Sequence, residues 1–262
     1  MMNSADHVQR QYADDKNLAA RKGLHDKYSV NTQGFVPWLF EKYRFGEHDF
    51  ILELGCGNGG PWQGRLEGLP PGCRLVLSDL TAGMISATWE KLGQPPNVTF
   101  EQIDIQAIPH GDGCFDVAIA NHMLYHVPDL AQGLSEVRRV LKPGGRFYAA
   151  TNGNGGMRSY LRDALRRFDP ETKAFAQEFS FSLQNGGGIL EPYFSSVERV
   201  DYVDSLAVTD TQDLMDWLQS SLAMAGCPEG NFAGLYDYFE GIRIREGAIR
   251  IPKEAGLFIC EK

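Results

Sequence analysis

No run of about 18 apolar residues occurs anywhere in this chain, so no segment reads as a membrane-spanning helix. Positive charge is also scarce. Lys and Arg total 25 against 34 Asp and Glu, a formal net charge of −9. Contacts to nucleic-acid phosphates need clustered Lys and Arg, so nucleic acid is not an expected partner. The five cysteines, at 56, 73, 114, 227 and 260, are an odd number with no C-x-x-C spacing. Neither a zinc site nor a disulfide framework follows from them. No metal is expected, and the compartment is read as a reducing cytoplasm. The opening residues Met1–Val8 lack a basic-plus-apolar signal pattern. Internal repeats and low-complexity tracts are absent. What remains is a globular composition, with 43% hydrophobic and 23% charged residues over 262 positions. That length suits one sizeable α/β domain with an elaboration.

The most informative stretch is Phe50-Ile-Leu-Glu-Leu-Gly-Cys-Gly-Asn-Gly-Gly60, an apolar strand that runs into a glycine turn. Gly55, Gly57 and Gly59 let the backbone turn sharply and approach a ligand with no Cβ in the way. A helix beginning near Asn58 would aim free N–H groups at that ligand. The pattern Gly55-x-Gly57-x-x-Gly60 also satisfies a dinucleotide fingerprint, so glycine alone does not name the cofactor. Glu53 discriminates. A strand buried in a sheet reads as continuously apolar, and a buried carboxylate is costly without a partner. The ammonium of S-adenosylmethionine would provide that partner, whereas a dinucleotide would bring pyrophosphate.

Two further strands end in acids. Arg74-Leu-Val-Leu-Ser-Asp79 places a carboxylate 24 residues after Gly55, suited to a bidentate grip on ribose hydroxyls, with Leu80 following. Val98–Asp104 ends in an acid suited to an exocyclic adenine amine, with Ile105 flanking the ring. Acids at the ends of successive parallel strands face the carboxyl edge of the sheet, where open α/β sheets bind ligands. Cys56 is expected to contribute its backbone, and Met84 to pack beneath the adenine or in the core.

At this point the chain resembles the class I S-adenosylmethionine-dependent methyltransferases. Glu53-Leu-Gly-Cys-Gly-Asn-Gly59 looks like the family's first motif, and Asp79, Asp104 and Ile105 fall where its ribose and adenine contacts fall. Gly113–Asn121 is similar to its fourth strand and Leu141–Phe147 to the turn into its fifth. The resemblance covers about residues 45–152. It implies a Rossmann-like, mostly parallel seven-stranded sheet with helices on both faces and a helical cap. It also implies S-adenosyl-L-methionine held by Glu53, Gly55, Cys56, Gly57, Asp79, Leu80, Met84, Asp104, Ile105 and Asn121.

The periodicity predicts strands at about 50–54, 74–79, 97–102, 115–120 and 145–151, with helices at about 58–67, 81–91 and 129–140 between them. Residues 9–44 read as helical, with Val30, Phe35, Trp38 and Leu39 as apolar positions. After Thr151 the rhythm breaks. Helices are expected over 156–168, 170–182, 211–225 and 232–243, a loop over 184–188, a returning strand over 194–203 and a final strand or hairpin over 249–260. The whole is read as a single domain with a core of about 45–152, 195–204 and 248–262. Residues 1–44, 153–194 and 205–247 form the cap, which is expected to cover the cofactor, build a largely apolar acceptor pocket and close over the cofactor near Tyr12–Tyr28. Arg158, Arg162 and Arg166 share one helix face, either solvated or an anion-attracting rim.

Methyl transfer from a sulfonium needs no metal and no covalent intermediate. Alignment of donor and acceptor can supply up to about 7–11 kcal/mol. A base is needed only for a weakly acidic hydroxyl or a protonated amine, and His122, His126 and His25 are the candidates, with Tyr28 or Tyr125 to orient the nucleophile. Asn121 is not followed by Pro-Pro-aromatic, so the signature of many nucleobase and glutamine methyltransferases is missing. The expected reaction is methylation of O or N on a small molecule, such as a secondary metabolite, and a homodimer is compatible with the sequence. Two other classes stay open: an NAD-dependent oxidoreductase, which leaves Glu53 and Asp104 unexplained, and a non-catalytic S-adenosylmethionine-binding module.

Overall fold

The computed structural model describes residues 23–224 and 234–262. Tyr12, Cys227 and the parts of the expected helices within 9–22 and 225–233 lie outside the described residues. The chain divides into two units. The first takes described residues 23–35 together with Gly153–Phe179 and Tyr202–Ala255, and the second takes Val36–Asn152, Ser180–Asp201 and Gly256–Lys262. Residues 180–194 thus belong with the sheet-bearing unit rather than with a cap.

The second unit is built on the sheet. Strands β1 (Phe50–Leu54), β2 (Arg74–Asp79), β3 (Val98–Gln102), β4 (Phe115–Asn121) and β5 (Leu141–Asn152) are joined by β6 (Ser196–Tyr202) and, later in the chain, β9 (Ala255–Glu261). Their order is β3-β2-β1-β4-β5-β9-β6. The first five pair in parallel, with Glu53 opposite Leu77 of β2 and Ile119 of β4. The order reverses between β1 and β4, and a crevice opens at the strand ends at such a switch point. Ile51, Leu52, Leu54, Leu75, Val76, Leu77 and Val117 through Ala120 are buried, as a sheet covered on both faces requires.

Helix α1 (Phe35–Lys42) precedes β1, α2 (Ala82–Leu92) follows β2 and α3 (Leu130–Val140) follows β4. Thr81 caps α2 by accepting from Met84 N–H, and Gly93, at φ 71°, terminates it. Asp129 caps α3 by accepting from Gln132 N–H, and Leu134, Val137 and Val140 form the buried stripe.

Four sequence expectations are corrected. No helix spans 58–67. Gly59 and Gly64 stand at φ +69° and +72°, values that interrupt an α-helix, and only 3₁₀ turns at Gly60–Trp62 and Leu66–Gly68 form. Residues 170–182 are turns, broken by Phe175 at φ +56°. The glycines near 186 begin a short helix, α5 (Gly186–Leu190), instead of a loop. A Cβ on Gly186 would stand 2.5 Å from the Phe258 ring, so glycine is there for close packing. Finally, of the strand or hairpin expected over 249–260, strand forms but no hairpin. β8 (Ile249–Pro252) pairs antiparallel with β7 (Ser205–Val208) in a separate two-stranded sheet, while β9 joins the large one.

The first unit packs its own core. Leu24, Tyr28, Leu161, Leu206, Leu218, Phe239, Ile249 and Ile251 cluster between α4 (Gly156–Leu165), α6 (Thr211–Met224), α7 (Leu235–Glu246) and the β7/β8 pair. Residues 23–28 are helical, but Val30 is 52% exposed instead of packed, because Ser29 leaves the helix to bridge Leu206. Arg158 is neither a solvated charge nor a free rim. Its guanidinium lies 4.4 Å from the Phe179 ring centroid and donates to Gln177 O at 2.6 Å.

Candidate active site

The glycine turn leaves β1 at the switch point. Gly55 and Gly57 adopt φ +69° and +58°. At Gly55 a Cβ would meet Met123 at 2.9 Å, whereas at Gly57 it would meet nothing within 4 Å. Gly57 therefore presents bare backbone to open space, the surface a ligand needs for close approach. The turn's amides are largely committed internally. Cys56 N–H donates to Ser78 O at 2.8 Å, Gly59 N–H to Cys56 O and Gly60 N–H to the Asn58 side chain. The expectation of a helix N-terminus aiming free amides at the ligand is thus corrected, and so is a ligand-facing role for the Cys56 amide. The Cys56 side chain is buried against Thr88, and burial pushes its thiol well up.

Glu53 is the most unusual residue of the sheet. It is 1% exposed in the middle of an apolar strand. The sequence suggests that a ligand must satisfy it, but the fold already does so twice. Asn121 Nδ2 donates to Oε1 at 2.9 Å, and Trp62 Nε1 donates to Oε2. Tyr43 O–H in turn donates to Asn121 Oδ1 at 3.0 Å. Burial pushes the Glu53 carboxyl up to about 7, with the negative charge of Asp79 adding to the effect and the two donors opposing it. The rings of Phe40, Tyr43, Phe45 and Trp62 surround this chain of donors, with Phe40–Trp62 centroids 5.0 Å apart.

Asp79 ends β2 and is partly buried. Its Oδ2 accepts Gly57 N–H at 3.1 Å, and its Oδ1 accepts Thr81 N–H at 2.9 Å. Burial raises its pKa. The Thr81 hydroxyl also donates to Oδ1 at 3.0 Å, so the carboxylate is fixed against the glycine turn and keeps about one acceptor position. Asp104 accepts from Gln106 N–H at 2.9 Å and from Gln106 Nε2. Ile105 is 5% exposed and packs within the core against Gly133 rather than standing open to flank a ring. Leu80 and Met84 are half-buried at the start of α2. All ten expected cofactor residues, Glu53, Gly55, Cys56, Gly57, Asp79, Leu80, Met84, Asp104, Ile105 and Asn121, lie in the second unit, with the Cys56 amide and the Ile105 side chain committed to internal contacts.

The proposed base residues separate. His122, at φ +54°, follows Asn121 directly, and burial of its ring lowers its pKa to about 4. A rise of activity through pH 6–7 cannot come from His122, which is already neutral there. Tyr125 and His126 lie just beyond it in a 3₁₀ turn, with ring centroids 4.5 Å apart. His25 and Tyr28 belong to the other unit. His25 packs edge-on to Trp217 at 6.3 Å. Tyr28 donates to Asp213 at 2.6 Å, the acid that also pairs with Lys27, and burial raises its pKa. Its hydroxyl is a structural donor, which removes it as an orienting group. Sequence reasoning missed Trp62 and Tyr43. The only available signal was a Pro61-Trp62 pair after the turn, since a buried indole N–H needs an acceptor. Among the described residues no group of three or more His, Cys, Asp or Glu is disposed to hold a metal ion, and no helix is long and apolar enough to cross a membrane.

The strand order, the parallel register and a glycine turn flanked by strand-end acids define the class I S-adenosylmethionine-dependent methyltransferase fold. The family model described as a methyltransferase domain matches residues 52–149. A similar curated protein is malonyl-(acyl-carrier protein) O-methyltransferase 1 of Ilyobacter polytropus, 30% identical over 167 residues, 63% of this chain and 56% of that protein. A ubiquinone/menaquinone biosynthesis C-methyltransferase of Geobacter sulfurreducens is 34% identical over 106 residues, 39% of this chain and 41% of that protein. The chain thus spans less than two thirds of the length of these relatives. Among solved structures, phosphoethanolamine N-methyltransferase 2 of Haemonchus contortus, in complex with phosphomonomethylethanolamine and S-adenosylhomocysteine, aligns with TM-score 0.59 at 16% identity. It covers 98% of this chain and 59% of that one, a likeness of fold.

Proposed function

We propose that the protein is a methyltransferase that binds S-adenosyl-L-methionine through Glu53, Gly55, Gly57, Asp79 and Asp104 and methylates an O or N atom of a small molecule. The observation that carries the reading is the open, Cβ-free backbone at Gly57 between two fixed carboxylates, Glu53 and Asp79. Buried Glu53 suits an ammonium, and partly exposed Asp79 suits vicinal hydroxyls. The same pair would repel a pyrophosphate, which disfavours a dinucleotide.

When bound, the cofactor supplies a methyl group on a sulfonium, open to in-line attack. The chain's own contribution is to hold the donor by its two ends, align the acceptor and exclude water. A hydroxyl or ammonium acceptor must also lose a proton. His122 is a weak proton acceptor because its conjugate acid is destabilised by burial. The base role therefore passes to His126. The first unit is assigned to acceptor recognition, since the methyltransferase-domain match ends before it resumes at Gly153. Of the two curated relatives, the one matched over more of the chain is an O-methyltransferase, which supports oxygen. The other is a C-methyltransferase, so the methylated atom is to be read from product mass spectra and carbon NMR.

The test is calorimetry with S-adenosylhomocysteine and with NAD, followed by turnover against a panel of acceptors. Asp79→Ala should weaken cofactor binding by about 1.5–3 kcal/mol, the scale of charge-assisted hydrogen bonds. Unchanged affinity in a folded variant, or preferential binding of NAD, would refute the assignment.

A further inference from the structure

We propose that Trp62 and Tyr43 are positioning residues for cofactor binding: with Asn121 they form a three-member clamp that fixes Glu53 in one orientation at the switch point. This rests on the reading of Glu53 as the ammonium partner. The clamp converges from three parts of the second unit. Trp62 comes from the 3₁₀ turn after the glycine loop, Asn121 from the end of β4 and Tyr43 from just after α1. Each carboxylate oxygen receives one donor, Oε2 from Trp62 and Oε1 from Asn121. An ionised carboxylate accepts about four hydrogen bonds, so capacity is left for an incoming ammonium.

The division of labour follows from the geometry. Trp62 is 1% exposed and flanked by Phe40 and Phe45, so its N–H has a fixed direction. Asn121 could present either its oxygen or its nitrogen to Glu53. The Tyr43 hydroxyl selects the nitrogen by donating to Oδ1. Tyr43 is itself held by Tyr148, with rings 5.0 Å apart, and Tyr148 O–H accepts the Arg44 amide at 2.9 Å. Among the described residues, the titratable groups facing Glu53 are Asp79 from β2, Cys56 from the turn and Tyr43. None is a cation. Burial holds the Cys56 and Tyr43 protons on, so both stay neutral and neither adds negative charge beside Glu53. Ionised Glu53 thus depends on these neutral donors until an ammonium arrives. Removing a donor makes the charged form harder to reach, and affinity for an ammonium-bearing ligand then falls at neutral pH and recovers as pH rises.

The experiment is calorimetric affinity for S-adenosylhomocysteine from about pH 5.5 to about 8.5, in wild type, Trp62→Phe, Tyr43→Phe and Glu53→Gln. Wild-type affinity should rise through about pH 7. Trp62→Phe should bind about five-fold more weakly at pH 7 and approach wild type by about pH 8.5, because raising the carboxyl by about one unit cuts its ionised fraction at pH 7 from about one half to about one tenth. Tyr43→Phe, which keeps the ring packing, should shift in the same direction by about three-fold, less than a full donor loss. Glu53→Gln should bind weakly and show no rise. A Trp62→Phe profile that superimposes on wild type, or that is lowered equally at every pH, overturns the clamp. If Trp62→Phe does not fold, Tyr43→Phe decides alone, and a profile coincident with wild type overturns it. A wild-type protein that fails to bind S-adenosylhomocysteine at any pH removes the cofactor reading itself, and the clamp with it. Normal binding without these shifts removes only the clamp.

Discussion

Glu53→Gln should change how stability depends on pH. The wild-type carboxyl titrates at about 7 in the folded protein, against an ordinary value of 4.5. The folded state therefore keeps its proton to higher pH than the unfolded chain. The stability associated with that proton is fully present below about pH 4.5. It is lost as pH rises from about 4.5 to about 7. Two and a half units at about 1.4 kcal/mol each give about 3 kcal/mol. Glutamine does not titrate, so the variant escapes the loss. It pays a smaller one. The amide oxygen can take the Trp62 N–H, but its NH₂ then meets the Asn121 NH₂, and Asn121 must turn over against the Tyr43 hydroxyl. That mismatch costs about 1 kcal/mol at any pH. The variant should therefore be less stable than wild type by about 1 kcal/mol near pH 4.5 and more stable by about 2 kcal/mol near pH 7.5. Urea denaturation across this range reads the difference directly, because carboxylates that titrate in both proteins cancel. A difference between the two proteins that stays constant with pH would refute a raised Glu53.

Two further outcomes follow from other parts of the second unit. Gly59→Ala should destabilise by about 2–3 kcal/mol in urea melts, since its Cβ would stand 2.6 Å from Thr88 Cγ2 at φ +69°. Gly64→Ala, at φ +72° but in open space, should lose only about 1 kcal/mol. On a hydroxyl acceptor, His126→Ala should slow turnover by about 10²–10⁴-fold with S-adenosylhomocysteine affinity unchanged, whereas His122→Ala should not. Equal turnover in the His126 variant would leave alignment alone as the source of catalysis.

The parts of the molecule that were legible are those where one physical demand dominates. Leu75-Val-Leu and Val117-Ala-Ile-Ala must be apolar because the sheet buries both faces, and these runs fell where strands form. The acids at strand ends stood out because burying charge is costly. Glycine was harder to read, because the same residue serves opposite needs. Gly59 and Gly64 broke a helix that periodicity favoured, while Gly186 opened one where a loop was expected, in order to admit the Phe258 ring.

The partners of Glu53 were not legible for a further reason. An acid in an apolar strand announces that it needs a donor, and sequence spacing does not say from where. A ligand was the economical inference. The fold instead brings Asn121 from 68 residues away and Trp62 from nine, with Tyr43 behind them. These contacts are set by strand order and by the turn that replaces the expected helix. Had residues 58–67 been helical, Trp62 would have sat on a different face, and Glu53 would have kept Asn121 alone as a protein donor. The broken helix is thus what allows the carboxylate to be held before any cofactor arrives, and a preformed partner spares the ordering cost that binding would otherwise carry.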